Sequence, residues 1–183
     1  MDYGFANKGP FVIRYPKAKC PNPLLSETEP AVPGRGVFIK NNNSPVLLIG
    51  TGSMTKEMIL VSENLELNGI PADVYNLRFI KPIDREYLKK ITINYRYIFT
   101  AEESSLLGGI GEEILSILKE NNPSQKVINF GVPDSFITNG PRSILLKYCG
   151  LDAGSLTDSI LKHLKKAHIP HLKHRTFLRG SQG

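Results

Sequence analysis

The chain of 183 residues has no tryptophan, two cysteines and three methionines. Cys20 and Cys149 lie far apart and lack CxxC spacing. That excludes a disulfide framework and a cysteine-based zinc site, and it suits a reducing compartment. No apolar run approaches the roughly 20 residues that a membrane span needs. The longest, Pro45 to Gly50, reads as a buried strand. The opening MDYGFANKGP has no basic region followed by an apolar one, so no signal peptide is visible. Histidine is confined to the end of the chain, at His163, His168, His171 and His174. A Ser-His-Asp constellation therefore has no candidate, and neither cysteine has a histidine to activate it.

Charge is unevenly placed. Lys and Arg number 23 against 17 Asp and Glu, a net charge of +6. Leu161 to Gly183 hold six of the cations (Lys162, Lys165, Lys166, Lys173, Arg175, Arg179) and no acid, so residues 1–160 are neutral. The basic character belongs to the tail, and composition gives the folded body no nucleic-acid surface. The 40% hydrophobic content supplies a core and excludes wholesale disorder.

Three parts follow from the pattern. Residues 1–36 form an arm with one strand-like run, Phe11-Val12-Ile13, and a linker from Cys20 to Gly36 stiffened by Pro21, Pro23, Pro30 and Pro33. A single strand cannot form a sheet alone. It reads as the last strand of a preceding domain, with Arg14 and Lys17 facing that domain's site; the competing reading is an edge or swapped strand of this domain. Residues 37–166 are the globular body, and residues 167–183 a basic, mobile tail. Within the body, strands at Val37–Ile39, Val46–Ile49, Asp73–Leu77, Tyr95–Ala101 and Lys126–Phe130 alternate with helices. Those helices start after Ser53, Asp84 (a candidate N-cap), Gly109, Pro141 and about Ser155. Such alternation predicts a parallel sheet with helices on both faces; the fold expected is three-layer α/β/α on a mostly parallel five-stranded sheet with one short antiparallel strand.

A few segments carry candidate chemistry. Gly50-Thr51-Gly52-Ser53 follows a strand and opens a helix, as an anion or nucleotide cradle would. It lacks the third glycine of the dinucleotide motif, since Thr55 stands there, and a tight turn is the competing reading. Glu102-Glu103 follows the third body strand, at the edge where α/β folds place their sites. Adjacent residues on an extended chain point apart, so at most one faces a given cleft. The alternative has one carboxylate capping or pairing with a neighbour and the other in solvent. Gly108-Gly109-Ile110-Gly111 lets either a ligand or the sheet approach closely. His168, His171 and His174 are spaced by three, as weak metal ligands on a helix would be, but Pro170 interrupts that helix.

Several segments together resemble the C-terminal region of the 1-deoxy-D-xylulose-5-phosphate synthases, transketolase-like thiamine diphosphate enzymes. They are Gly9-Pro10-Phe11-Val12-Ile13-Arg14-Tyr15-Pro16, Leu48-Ile49-Gly50-Thr51-Gly52-Ser53, Leu77-Arg78-Phe79-Ile80-Lys81-Pro82-Ile83-Asp84, Thr100-Ala101-Glu102-Glu103 with Gly108-Gly109-Ile110-Gly111, Gly131-Val132-Pro133-Asp134-Ser135-Phe136, and Gly150-Leu151-Asp152. The resemblance spans residues 9–166. It implies a three-domain, homodimeric enzyme that condenses pyruvate with D-glyceraldehyde 3-phosphate, releases carbon dioxide and feeds isoprenoid, thiamine and pyridoxal synthesis. This chain would be its third domain, transketolase C-terminal-like, with the last strand of the second. Thiamine diphosphate, Mg2+ and the catalytic residues would lie in the absent N-terminal and middle domains, leaving a packing and dimer-forming module, inactive alone. Its setting would be the cytoplasm, or a plastid in a eukaryote. One substrate-phosphate contact is carried over to Lys17, where the family pattern R-Y-P-R-G has its second arginine; Ala18 replaces the glycine. Ser104 and Asn139 replace the common asparagine and histidine. The β subunits of 2-oxo-acid dehydrogenases are a second resemblance, and a stand-alone anion-binding module is a third reading.

Overall fold

A computed structural model of the chain describes residues 2–15 and 29–166. Its frame is a five-stranded sheet in the order β1-β3-β2-β4-β5. The parallel strands are β2 (Val46–Gly50), β3 (Asp73–Asn76), β4 (Tyr97–Ser105) and β5 (Lys126–Val132). Only β1 (Val37–Lys40) is antiparallel, pairing with β3 through a register shift between Phe38 and Lys40. The predicted α/β class and the short antiparallel strand are both present.

Strand β2 explains the layering. All five of its residues are buried, because helices cover both faces of the sheet. Val46 and Leu48 point to one cluster, together with Met54, Met58, Val61 and Leu65 of α2 (Met54–Leu67) and Leu156, Ile160 and Leu164 of α6 (Ala153–Lys166). Leu47 and Ile49 point the other way. There they join Leu88 of α3 (Arg85–Thr92) and Ile114, Ile117 and Leu118 of α4 (Ile110–Asn121). Each fully buried aliphatic side chain contributes about 1.5–3 kcal/mol.

Strand order then positions a crevice. The β2-α2-β3 unit steps one way along the sheet, whereas β4 lies on the other side of β2. The carboxyl ends of β2 and β4 therefore flank the point where the order reverses, and α/β folds bind ligands at such points.

Local chemistry sets the turns. Asp84 precedes α3 and its Oδ1 accepts from Tyr87 N at 3.0 Å, as a predicted N-cap should. Asp152 does the same for α6, accepting from Ser155 N and Oγ. Asp73 is fully buried at the start of β3, yet three donors satisfy it: Asn42 N, Ser44 N and the Tyr95 hydroxyl, at 2.7, 3.1 and 2.8 Å. Burial and that bond to Asp73 both push the Tyr95 phenol upward in pKa.

The arm departs from the pattern. A five-residue helix, α1 (Asp2–Ala6), stands before it, and Tyr3 meets Phe79 edge-on at 5.6 Å. Residues 11–15 form no strand and are exposed. The run Phe11–Ile13 has strand composition, but pairing requires a neighbour, and none of the five strands takes it. Most of the proline-rich linker and the tail from residue 167 lie outside the described residues.

Candidate functional site at the carboxyl edge of the sheet

The two adjacent carboxylates organise the crevice. Pleating sends Glu102 and Glu103 in opposite directions, as expected of neighbours on a strand. Glu102 is 4% exposed and reaches α4, where its oxygens accept from Ile110 N and Gly111 N at 3.1 and 2.9 Å. A buried carboxylate thus fills the place of an anion at the helix N-terminus. The glycines make room for it. A Cβ at Gly109 would collide with Glu102 Oε1, and one at Gly111 would lie 2.9 Å from Asn129 Cγ and 3.0 Å from Thr100 Oγ1. The Gly108–Gly111 turn therefore serves tight packing on the sheet.

Glu103 points to the other face. Its Oε2 accepts from the Ser53 hydroxyl at 2.6 Å, and Ser53 is the residue that opens α2. Arg142 grips the same carboxylate from α5 (Arg142–Tyr148), through Nε at 2.9 and 3.1 Å and Nη2 at 2.8 Å. Burial opposes ionisation of this carboxyl, but the bonds from Arg142 and Ser53 outweigh it and hold the pKa below the usual carboxylate range. Neither glutamate is left in solvent; one caps and the other pairs.

The Gly50–Ser53 turn is correspondingly closed. Gly52 has φ +56, and Met54 N, Thr55 N and Lys56 N bond back to Thr51 O, Gly52 O and Ser53 O. With these donors engaged and Glu103 already at the helix start, a phosphate would meet a fixed negative charge. The same holds for Glu102 at α4. Among the described residues, no group of three or more His, Cys, Asp or Glu side chains is placed to hold a metal ion. The carboxyl edge does not fit a diphosphate with its metal.

Beside the ion pair, a cleft of about 430 Å3 opens between the end of β5, the loop 133–141 and α5. Its walls include Val132, Ile137, Leu145, Leu146 and Leu151, with Cys149, Glu103 and Arg142. Because Arg142 and Glu103 neutralise each other, the cleft offers apolar surface and no unpaired charge.

Other singled-out residues hold the frame or lie elsewhere. In the segment 78–84, Arg78 adopts φ +54 and its N–H bonds Asn76 Oδ1, Pro82 follows a cis peptide bond, and Asp84 accepts from Arg35 at 2.7 Å. Phe136, in the segment 131–136, is fully exposed. Arg14 is exposed in the arm, while Lys17 lies outside the described residues, as do Cys20, His168, His171 and His174. His163 lies on α6 near Phe99, with ring centroids 6.4 Å apart. The sequence reading missed Arg142, because its partner Glu103 is 39 residues away and no local pattern links them. No helix in the described residues is long and apolar enough to cross a membrane.

Known proteins share this architecture. The family model described as transketolase, C-terminal domain, matches residues 35–156. The 1-deoxy-D-xylulose-5-phosphate synthase of Chlorobaculum tepidum is 36% identical over 159 residues, covering 86% of this chain and 25% of that protein. The synthase of the same name from Natranaerobius thermophilus is 35% identical over 162 residues, 87% of this chain and 26% of that one. The chain thus spans about a quarter of the length of these curated relatives. Among solved structures, a split gene transketolase in an inactive β4 tetramer aligns with TM-score 0.70 and 33% identity, over 78% of this chain and 46% of that chain. A transketolase from Campylobacter jejuni aligns with TM-score 0.54 at 15% identity, over 74% of this chain and 20% of its own, a likeness of fold alone.

Proposed function

The chain belongs to the transketolase C-terminal domain family, and on that premise we propose that it is the third domain of a 1-deoxy-D-xylulose-5-phosphate synthase. The observation that carries this reading is the roughly even identity, 36% and 35%, to proteins of that name over almost the whole described body. Those names favour the synthase over a 2-oxo-acid dehydrogenase β subunit. The reaction is then the condensation of pyruvate with D-glyceraldehyde 3-phosphate, with loss of carbon dioxide. Thiamine diphosphate with Mg2+ supplies the carbanion chemistry, and domains outside these residues hold it. Two features of this chain support that division. Glu102 occupies the N–H groups at the start of α4 where an anion would sit, and Glu103 sets a negative charge beside Ser53 at the start of α2.

The chain's own part is to pack and to pair. Its arm, exposed at Phe11, Val12, Ile13 and Tyr15, adds as a strand to the sheet of the preceding domain. That docking carries Arg14 and Lys17 toward the aldehyde's phosphate, where a lysine acts as a point charge without arginine's bidentate fork. The enzyme works as a homodimer, and this chain alone has no turnover. The inactive assembly named for the split-gene neighbour suits that expectation.

A domain exchange tests the proposal. The C-terminal quarter of the Chlorobaculum tepidum synthase is replaced by this chain. The chimera is expected to form 1-deoxy-D-xylulose 5-phosphate, and the chain by itself to form none. A folded chimera without turnover, or turnover by the chain alone, would overturn it.

A further inference from the structure

A projecting aromatic ring and an apolar cleft lie side by side on one surface. Phe136 is 105% exposed, more than any other large apolar residue described. The next residue, Ile137, is a wall of the cleft of about 430 Å3 at the end of β5. A cavity of roughly 150 Å3 already accepts a benzene ring, so the cleft has room for a phenyl group. Aliphatic carbons of Val132, Leu145, Leu146 and Leu151 would line its contact. The helix that walls the cleft adds exposed apolar surface of its own, since Ile144 and Tyr148, one turn apart on α5, are 62% and 72% exposed. Contiguous exposed apolar surface of this kind marks an interaction site.

We propose that this face joins two copies of the chain, with each copy's Phe136 seated in the other's cleft. The inference rests on the homodimer stated above and adds the surface that forms it. A knob and a hole on the same patch are self-complementary under a two-fold axis, the requirement of an isologous interface. Charge agrees with shape. Asp134, two residues before Phe136, and Lys147, on the helix that walls the cleft, are both exposed, and neither has an ion pair among the described residues. When Phe136 enters the partner's cleft it brings Asp134 toward the partner's cationic helix, once at each end of the interface. No unpaired charge is buried in doing so, since Arg142 is already engaged with Glu103. A large aromatic in an apolar pocket with a charged rim is the usual composition of an energetic centre in an interface.

Sedimentation equilibrium on the full chain reads the pairing directly. The wild type is expected to be a dimer at micromolar concentration. Phe136→Asp is expected to raise the dimer dissociation constant by roughly thirtyfold or more, as at an interface hot spot. Its circular dichroism should stay native, because that side chain touches nothing in the fold. Asp134→Lys and Lys147→Asp should each weaken the dimer, and combining them should restore it. A general loss of folding would not produce that rescue. A chain that stays monomeric at millimolar concentration overturns this surface and leaves the homodimer of the whole enzyme to its other domains. A dimer that Phe136→Asp leaves intact overturns the surface alone, whether the cleft then serves another domain or nothing. The exchange experiment on catalysis is independent of both outcomes.

Discussion

Glu103 draws together three parts of the chain that are distant in sequence: the end of β4, the start of α2 at Ser53 and the start of α5 at Arg142. Its folded-state pKa lies below the usual value, so the unfolded chain binds the proton more readily. The contribution is therefore complete above the unfolded carboxylate pKa and is lost as pH falls through the lower folded value. The pair is about a third exposed, and solvent screening reduces its worth. Glu103→Gln is expected to cost about 1 kcal/mol at neutral pH. Urea melts at descending pH should show that difference shrink only below 4.5, the ordinary value for the group. A difference that is constant down to strongly acidic pH would show that folding does not lower the pKa of Glu103. Glu102 makes the opposite case of a carboxylate buried without a cation. It accepts from two buried backbone donors, and Glu102→Ala would orphan both. We expect a loss of about 2–6 kcal/mol in urea unfolding, from two buried donors at about 1–3 kcal/mol each. A loss below half a kilocalorie would mean that water replaces the carboxylate there.

At the scale of elements, the period of the apolar residues made most of the fold legible. Val46–Ile49 is apolar at every position because both faces are covered, and Met54, Met58, Val61 and Leu65 recur at helical spacing because one face of α2 is buried. The cap at Asp84 was an equally local signal. What failed was non-local. Strand β4 begins at Tyr97, two residues later than its composition suggests, because Tyr95 N turns back to Thr92 O. It continues through Glu102 to Ser105, since the carboxylates are held by partners elsewhere in the chain and strand propensity is read mostly from apolar residues. Phe11–Ile13 has strand composition but pairs with none of the five strands among the described residues. At the candidate site the sequence identified the glutamates and both glycine turns. It did not reveal that the glutamates occupy the helix starts that those turns expose.

For the whole molecule, the two faces of the sheet differ in what they leave uncovered. One side is closed by α3 and α4, whereas the side carrying α2 and α6 ends in the short α5, of which only Leu146 is buried. Apolar surface remains at Phe136, Ile144 and Tyr148, and again in the arm from Phe11 to Tyr15. The sheet's own core is closed on both faces, and apolar surface is left exposed at two places. The chain's length, about a quarter of that of its curated relatives, agrees with a role inside a larger enzyme. The central proposal is that this module holds no cofactor: Glu102 already takes the N–H donors at the start of α4, and Glu103 lies beside the start of α2. Calorimetric titration of thiamine diphosphate with Mg2+ into the purified chain tests that most directly. No saturable heat is the predicted result. Saturable binding at one site would contradict it, and would place in this chain the cofactor site that we propose for other domains.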